Sequence, residues 1–277
     1  MRLRIAEKDD YLPMLGLSSC ERWALNERDI QLIFDAGGGF VVADDDTGIL
    51  GMGSYLPYKK YGWIGNIVVR KDVRRHGIGR LITQQCVQHL IDQNVVPALF
   101  SVKDAEHLYQ ACGFIPCGEY VNFGGWITRK MVPPYRISHV SKGNPDEILG
   151  FDFRHWGDNR GLLLRKMGKS GELLIAKEEK IRGYILGIRE DSVLYIGPWV
   201  ADSIKDAHAL FNELLRRELH EHSPIYVDIS VPATNISALR IVRPLLTRID
   251  SVSEMHLNGS SLLRQNGVYS CASMDKG

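Results

Sequence analysis

One short run of residues in the first half of the chain combines positive charge with glycine in a way that suits phosphate. The run is Arg74-Arg75-His76-Gly77-Ile78-Gly79-Arg80, and it lies between a strand-like segment, Trp63 to Val69, and a long amphipathic segment. Glycines let the backbone approach an oxyanion closely, and the positive end of a following helix attracts phosphate oxygens. The arginines add charge around that backbone. The run therefore predicts a pyrophosphate-binding loop, which we call the cradle.

Two other interpretations fit the cradle less well. Arginine and glycine are common in surface turns before helices, but the position directly between a strand and a helix favours phosphate binding. A dinucleotide-binding fold would need a third glycine after Gly77 and Gly79, and position 82 is Ile82. Phosphate binding outside a Rossmann fold is the interpretation that we keep.

The histidines and cysteines do not predict a metal site. The histidines lack the spacing of a helical zinc site, and the five cysteines include no C-x-x-C pair. An odd number of cysteines also argues against a disulfide framework. Trp23, Trp63 and Trp199 could line a pocket for a ligand, although large aromatic residues more often lie in a core or between domains.

The hydrophobic pattern of the first half predicts elements that would hold the cradle in place. The pattern indicates helices at about 11–17 and 26–34, a hairpin at 40–43 and 49–56, a strand at 61–69, a helix at 78–93, a strand at 97–102, a short helix at 105–112 and a strand pair at 115–131. The cradle would then join the third strand to the longest helix of this half.

The second half repeats this order. Its hairpin, at 173–176 and 181–187, is followed by a strand that ends in Ile196-Gly197-Pro198-Trp199-Val200, the counterpart of Ile64-Gly65-Asn66-Ile67-Val68. Further predicted elements are helices at 161–167, 203–221 and 235–245 and strands at 225–229 and 249–257. Such self-similarity indicates two copies of one domain. Segments at 131–135 and 141–145 have the composition of a linker, so we place the domains at 1–135 and 136–277.

Length and charge restrict the class of protein. The chain has 277 residues, of which 44% are hydrophobic, enough for two domains with buried cores. A net charge of +1 argues against nucleic acid or an anionic membrane surface as a partner. The first residues form no apolar leader, and no apolar run is long enough for a membrane span. We therefore expect a cytoplasmic monomer or homodimer.

Two motifs together resemble the GCN5-related N-acetyltransferases. They are the cradle with Val68-Val69 before it, and Leu108-Tyr109-Gln110-Ala111-Cys112-Gly113-Phe114 further along the chain. The segment Phe151 to Val200 is similar to the carboxy-terminal domain of the YitH-like tandem members of that superfamily. The resemblance covers nearly the whole chain, with stronger motifs in the first half. It implies an α/β fold of two tandem domains, each a splayed, mainly antiparallel, seven-stranded mixed sheet flanked by helices.

The resemblance also implies roles for individual residues. Acetyl-CoA would lie where the sheet splays, and the backbone of Ile67, Val68 and Val69 would contact its pantetheine and acetyl group. The cradle would hold its pyrophosphate through Arg74, Arg75, His76, Gly77, Ile78, Gly79 and Arg80. Tyr109 matches the cofactor-contacting tyrosine that protonates the departing CoA thiolate. Asn66 lies near a position where the family sometimes has a carboxylate, and Phe100 to Asp104 departs from the family's usual sequence, so acceptor choice could differ.

The function implied is an acyl-CoA-dependent N-acetyltransferase that transfers acetyl directly to the primary amine of a small molecule. Such an amine is an ammonium at neutral pH, so a base or a chain of waters must first remove a proton. The carboxylates that could act as the base are Glu21, Glu27, Asp29 and Asp228, and each is more often a solvated or capping residue. A backbone N–H at the end of the third strand would stabilise the tetrahedral intermediate. The alternative is a non-catalytic CoA-binding sensor, and no feature identifies the acceptor.

The second half lacks a cradle. After Ala201-Asp202 it continues Ser203-Ile204-Lys205-Asp206-Ala207-His208-Ala209, without glycine or arginine. Asp202 and Asp206 would repel phosphate. We therefore expect this half to keep the fold without binding the cofactor, and to serve as a scaffold that completes the acceptor site of the first half.

Overall fold

The structure is a computed structural model that describes residues 1–21, 23, 25–132, 138–259 and 267–277. The chain forms two compact units. The first unit consists of Met1–Cys117, Ser253–Ser261 and Met274–Gly277, and the second consists of Gly118–Val252 and Leu262–Ser273. The domain boundary predicted near residue 136 lies within the second unit, and late segments of the sequence belong to the first.

A mixed sheet forms the centre of the first unit. Its elements are β1 (Arg2–Ile5), α1 (Tyr11–Ser19), α2 (Glu27–Asp35), β2 (Gly39–Asp45), β3 (Gly48–Pro57), β4 (Tyr61–Val69), α3 (Ile78–Ile91), β5 (Val96–Val102) and α4 (Glu106–Gln110). The strands lie in the order β1-β2-β3-β4-β5, with antiparallel pairs except for the parallel pair β4–β5. These elements agree with the helices and strands predicted for 11–112, and β1 is an addition.

Helix α3 lies on the sheet because its buried residues recur on one face. Ile78, Ile82, Cys86 and Leu90 are separated by about one helical turn each, and all four are buried. They belong to one hydrophobic cluster with Ile64 of β4. This packing fixes α3 relative to β4, and so fixes the ends of the segment that contains the cradle.

Helices α1 and α2 cover the other face of the same sheet. Phe40 and Val42 alternate along β2 with the residues that face α3, so they point to the opposite face. There they form a second cluster with Met14 of α1 and with Ile30 and Ile33 of α2. The polar residues of α2 are thereby held close to the sheet.

The second unit repeats this arrangement. Its elements are β6 (Phe114–Ile127), which begins in the first unit, β7 (Val140–Lys142), α5 (Pro145–Trp156), α6 (Gly161–Ser170), β8 (Glu172–Lys177), β9 (Ile181–Glu190), β10 (Val193–Ala201), α7 (Ile204–Glu221), β11 (Ile225–Pro232), α8 (Ile236–Val242), β12 (Thr247–Leu257), which ends in the first unit, and β13 (Val268–Ser270). The strand order is β6-β11-β10-β9-β8-β7, and β13 pairs with β10. The pair β10–β11 is parallel, like β4–β5.

Two segments differ from the sequence prediction. The strand pair predicted at 115–131 is the single strand β6, whose residues from Tyr120 to Ile127 all pair with β11 and leave no turn. The linker predicted at 141–145 contains the end of β7 and the start of α5. Asn144 and Glu147 form a capping box there, and Pro145 occupies the first helical position, which its fixed φ angle suits. The linker prediction at 131–135 lies partly outside the described residues.

Three further properties concern the described part of the chain. None of its helices is both long and apolar enough to cross a membrane. Its His, Cys, Asp and Glu side chains form no group of three or more that could hold a metal ion. The five cysteines are free thiols, and Cys86 and Cys271 are buried.

Candidate functional site

In the first unit, β4 pairs with β5 along only part of its length. The parallel pairing of β4 with β5 ends at Ile64 and Leu99. Both strands continue beyond this point, β4 to Val69 and β5 to Val102. On its other edge β4 remains paired with β3. The edge of β4 after Ile64 therefore presents backbone N–H and C=O groups that no parallel strand satisfies.

A β-bulge lies within this open part of β4. The pairing with β3 shifts between Met52 and Ser54, so that Asn66 and Ile67 together lie opposite Gly53. Asn66 has a φ angle of 54°, in the left-handed region that Asn tolerates better than most residues. A bulge increases the local bend and twist of a strand. It therefore contributes to the divergence of β4 from β5.

The cradle joins β4 to α3, and the start of α3 has no side-chain cap. Gly77 is the N-cap residue, with a φ angle of 81°, and the first turn contains no acidic residue. A Cβ added to Gly77 would meet no atom within 4 Å. The first N–H groups of a helix have no partner within the helix, and the helix dipole favours an anion beside them. This turn can therefore accept a phosphate group.

Two cradle side chains hold their own loop together. Arg74 donates from Nε to the carbonyl of Val69 at 2.8 Å and from Nη2 to the carboxylate of Glu21 at 2.5 Å. His76 Nδ1 lies 3.2 Å from the carbonyl of Val73. Arg74 thus ties the cradle to the end of β4, and Glu21 is an anion in a place where a phosphate oxygen could replace it.

The other cradle residues divide into exposed and packed positions. Arg75, Gly77 and Arg80 are exposed, whereas Ile78 is buried and Gly79 is partly buried. The side chain of Ile78 belongs to the core, so this residue can offer only its backbone to a ligand. A Cβ added to Gly79 would lie 3.5 Å from Val69 Cγ2, an ordinary contact distance.

Tyr109, on α4, is buried in the hydrophobic cluster that includes Ile78 and is bordered by Ile67 and Val69. Its ring meets that of Phe114 edge to face, with 6.3 Å between the centroids. Burial raises the pKa of the Tyr109 phenol well above its usual value. The phenol keeps its proton at neutral pH, which suits a proton donor and not a base.

The four carboxylates named as possible bases have different surroundings. Glu21 binds the cradle, and Glu27 is exposed in the first turn of α2. Asp228 belongs to β11 of the second unit, where burial, with a smaller effect of Asp250, raises its pKa to about 6. Asp29 of α2 lies 3.3 Å from the Nζ of Lys276, which belongs to a late segment of the chain.

Residues Met274–Gly277, which we call the plug, belong to the first unit and lie against this open edge. Asn66 donates from Nδ2 to Asp275 Oδ2 at 3.1 Å and to Ser54 Oγ at 3.0 Å. A Cβ added to Gly65 would lie only 2.5 Å from Asp275 Cβ. The plug backbone therefore packs directly on the bulged part of β4.

Lys276 of the plug connects it to α2. Its Nζ lies 3.3 Å from Asp29 Oδ1 and 2.9 Å from Asp275 Oδ2. The phenol of Tyr58 donates to the backbone carbonyl of Lys276. Sequence reasoning missed these contacts, because the plug carries no motif and its partners are distant in the chain.

The three tryptophans considered as pocket residues differ in exposure. Trp63 and Trp199 are fully buried, whereas the Trp23 side chain is 45% exposed. Trp63 stacks on Phe100 with 4.7 Å between ring centroids. Trp63 and Trp199 are therefore core residues of their respective units.

In the second unit the equivalent junction, from β10 to α7, is closed by side chains. Ser203 is the N-cap residue of α7, and its Oγ accepts a hydrogen bond from the backbone N–H of Asp206 at 3.2 Å. The buried carboxylate of Asp206 lies in the first turn and accepts a hydrogen bond from Arg182 at 3.1 Å. A capped helix start with a carboxylate in its first turn does not suit a phosphate group.

Strand β13 covers the edge of β10 that corresponds to the open edge of β4. The parallel pairing of β10 with β11 extends only to Ile196. Beyond it, Trp199 and Val200 pair with β13 in the antiparallel sense. A Cβ added to Gly197 would lie 2.0 Å from the carbonyl oxygen of Cys271. Trp199 and Val200 correspond to Ile67 and Val68, which have no second neighbouring strand among the described residues of the first unit.

Family models match both halves of the chain. The model of the acetyltransferase (GNAT) family matches residues 6–114, and the model of an acetyltransferase (GNAT) domain matches residues 148–270. The uncharacterized N-acetyltransferase YitH of Bacillus subtilis (strain 168) is 22% identical over 215 residues, which cover 76% of this chain and 75% of YitH.

Solved structures share the fold along nearly the whole chain. A crystal structure from Pyrococcus horikoshii, named as a candidate acetyltransferase, has a TM-score of 0.81 at 23% identity and covers 100% of this chain and 95% of that chain. A tandem GNAT protein from the clavulanic acid biosynthesis pathway has a TM-score of 0.62 at 12% identity, with 94% and 99% covered. Because two family models match in succession and the strand-to-helix junction occurs twice, the chain is a tandem-domain member of the GCN5-related N-acetyltransferase superfamily.

Proposed function

We propose that the chain transfers acetyl from acetyl-CoA directly to the primary amine of a small molecule, with its active site in the first domain, residues 1–135. One contrast carries the proposal. The junction from β4 to α3 has an uncapped helix start and, within the part of the chain that the structure describes, a strand edge at Ile67–Val69 that pairs with β3 alone. The junction from β10 to α7 has a capped helix start and an edge covered by β13.

The donor site suits acetyl-CoA in charge and in backbone geometry. The turn at Gly77 and the arginines around it would hold the pyrophosphate, as phosphate groups bind at uncapped helix starts elsewhere. The open edge at Ile67–Val69 would pair with the amide groups of pantetheine. Acetyl-CoA supplies an acetyl group activated as a thioester. The full set proposed for its binding is Ile67, Val68, Val69, Arg74, Arg75, His76, Gly77, Ile78, Gly79, Arg80 and Tyr109.

The transfer requires two proton losses at the acceptor nitrogen and one proton gain at sulfur. The acceptor ammonium loses one proton before its nitrogen attacks the acetyl carbon. As the C–N bond forms and the C–S bond breaks, the nitrogen loses the second proton and the sulfur takes one up. We assign the sulfur's proton to the buried phenol of Tyr109, which burial keeps protonated. We assign a backbone N–H at the end of β4 to the carbonyl oxygen, where negative charge develops.

For the second domain, residues 136–277, we propose a scaffold role without cofactor binding. The Ser203 cap, the Asp206 carboxylate and the β13 strand support this role. The plug, which follows this domain's last strand in the chain, belongs to the first unit. The later half of the sequence therefore supplies the plug that the first unit holds.

A Gly79→Glu variant tests the donor site. The added side chain begins at an ordinary contact distance from Val69, so the fold can accommodate it. Its carboxylate would oppose the pyrophosphate at the start of α3, and we expect CoA to bind at least about 10-fold more weakly. Calorimetry with CoA measures the affinity, and thiol release from acetyl-CoA with a panel of amines measures transfer.

The matched control is Gln84→Glu, which makes the same charge change at an exposed position further along α3. It should bind CoA like the wild type. Equal CoA affinity in Gly79→Glu and wild type would reject the donor site. Strong CoA binding by the wild type without transfer to any amine would favour the CoA-binding sensor instead.

A further inference from the structure

The plug places a buried ammonium beside the open edge of β4. The side chain of Lys276 is 8% exposed and contacts two carboxylates, those of Asp29 and Asp275. Burial alone would lower the pKa of Lys276, but these two carboxylates outweigh that effect and raise it. The Lys276 nitrogen is therefore protonated and cannot act as a nucleophile here. The Lys276 ammonium thus lies beside β4 but is not an acceptor for the acetyl group.

The two carboxylates that hold this ammonium have different origins. Asp275 belongs to the plug itself, whereas Asp29 belongs to α2. The backbone N–H of Asp29 donates to the N-cap side chain of Asn26 at 3.0 Å, which fixes its place in the first turn. If the plug leaves, Asp29 remains in the first turn of α2 as a carboxylate that has lost the Lys276 ammonium.

Asn66 binds the negatively charged group of the plug, the carboxylate of Asp275. Its amide nitrogen has two hydrogens, one donated to Ser54 Oγ and one to Asp275 Oδ2. The bond to Ser54 orients the amide within the first unit. The other hydrogen would then point to an anion or carbonyl that replaces Asp275.

Taken together, the plug presents an ammonium and a carboxylate that touch each other. Lys276 Nζ lies 3.0 and 2.9 Å from the two carboxylate oxygens of Asp275. Asp29 binds the ammonium and Asn66 binds the carboxylate. An α-amino acid carries the same two groups on one carbon atom. The two groups that hold the plug, Asp29 and Asn66, are thus arranged for a zwitterion.

The plug is seated closely enough to exclude another ligand. Besides its contact with Gly65, a Cβ added to Gly277 would lie 2.2 Å from Trp63 Cε2. These contacts cover the stretch of β4 directly before Ile67–Val69, the segment proposed for the donor. An acceptor amine that binds on this stretch of β4 would therefore take the place of the plug.

We propose that Asp29 and Asn66 form the acceptor subsite for an amino acid, which binds with its ammonium on Asp29 and its carboxylate on Asn66, and that the plug competes with it for this subsite. The identification of the amino acid as the acceptor rests on the proposed function. The binding of an amino acid to Asp29 and Asn66, and its competition with the plug, do not depend on that function.

Calorimetric titration without CoA tests the subsite, with L-norleucine as the probe. Its matched compounds are n-pentylamine, which lacks the carboxylate, and hexanoate, which lacks the amine. Lys276→Met removes the competing ammonium, and we expect it to bind norleucine about 10-fold more tightly than the wild type. Adding Asp29→Asn should abolish that gain. Unchanged affinity in Lys276→Met, or pentylamine and hexanoate binding as tightly as norleucine, would overturn the proposal.

The matched control for charge is Lys8→Met, an exposed lysine in the same unit, which should bind like the wild type. Hydrogen exchange of the wild type provides a test that needs no variant. Saturating norleucine should speed exchange at the amides of residues 275–277, because it displaces the plug. Exchange that stays constant or slows would overturn the competition, even if Lys276→Met fails to fold.

Kinetics separate this inference from the proposed function. With acetyl-CoA present, Lys276→Met should lower the KM for norleucine several-fold and leave kcat nearly unchanged. Norleucine binding without any thiol release would support the subsite and reject transfer to this class of amine. Transfer to n-pentylamine, together with no norleucine binding, would support the transferase and overturn the subsite.

Discussion

Tyr109 combines two properties that a proton donor to a thiolate needs. It lies in a hydrophobic cluster bordered by the last residues of β4, and its burial keeps the phenol protonated. The same burial is also what a purely structural tyrosine would show. A CoA thiolate is only weakly basic, so a donor there assists the reaction modestly. A measurement of rate can separate the two roles.

We expect Tyr109→Phe to lower kcat by roughly 10-fold, less than general acids typically contribute, and to change the KM for acetyl-CoA little. Because burial raises the pKa of the phenol above its usual value near 10, the proton stays on as pH rises through 7 to 9. The rate ratio of variant to wild type should therefore be the same at pH 7 and pH 9. Steady-state kinetics at both pH values check this.

Tyr55→Phe is the matched control, since Tyr55 is buried in the same cluster and stacks on His89 of α3. It should keep the wild-type rate. A Tyr109→Phe variant with full activity would show that Tyr109 only packs.

At the level of single residues, the sequence identified positions better than partners. Glycines and arginines at the cradle were visible because a backbone anion site needs those residue types at adjacent positions. The ion pair of Asp29 with Lys276 joins the first helices to a late segment, and no local pattern encodes it. Four carboxylates were therefore equivalent in the sequence, and only tertiary structure distinguishes Asp29 from the other three.

At the level of elements, the two strand-to-helix junctions differ as their compositions predicted. Gly77 leaves α3 without a side-chain cap, while Ser203 caps α7 and Asp206 adds a carboxylate to its first turn. Strand β13 was not predicted, because a three-residue strand has no period to detect and forms only by pairing with β10. The residues at the start of α7 could thus be identified from the sequence, whereas the covering of β10 by β13 results from tertiary pairing.

Strand β11 carries a carboxyl group that links stability to pH. Ile225, Val227 and Ile229 are buried, and Asp228 lies on the alternate, half-buried face. Burial first, and then Asp250, raise the pKa of Asp228 from 3.8 to about 6. The folded state thus holds the proton more tightly than the unfolded chain. This contribution to stability is present at low pH and is lost as pH rises from about 4 through 6.

We therefore expect Asp228→Asn to stabilise the second unit at pH 7.5 and to have little effect near pH 4. The gain at pH 7.5 should be at most roughly 3 kcal/mol, the value of the pKa difference. Thermal unfolding of variant and wild type at the two pH values measures it. Asp191→Asn, at an exposed turn of the same unit, should leave the stability unchanged at both pH values. A gain equal at both pH values would contradict the titration of Asp228.

At the level of the whole molecule, the chain contains the same fold twice, and of the two strand-to-helix junctions compared among the described residues, one has an uncapped helix start. We expect calorimetry to find one CoA bound per chain, because Asp206 and β13 close the junction of the second unit. Gly79→Glu should weaken the binding of CoA at that single site, and no second CoA-binding site should remain. A stoichiometry of two would contradict the closure and the scaffold role.

The composition of the first unit has a consequence for biosynthesis. Its sheet and cradle are synthesised early, but Ser253–Ser261 and Met274–Gly277 belong to the same unit. While the ribosome is still translating the second unit, the nascent first unit lacks Lys276 beside Asp29 and the final residues of β12. It must wait, partly assembled, until residue 277 has emerged, and such long-range completion is slow and exposes apolar surface. The domain whose motifs are translated first therefore completes its folding only after residues 274–277 have been synthesised.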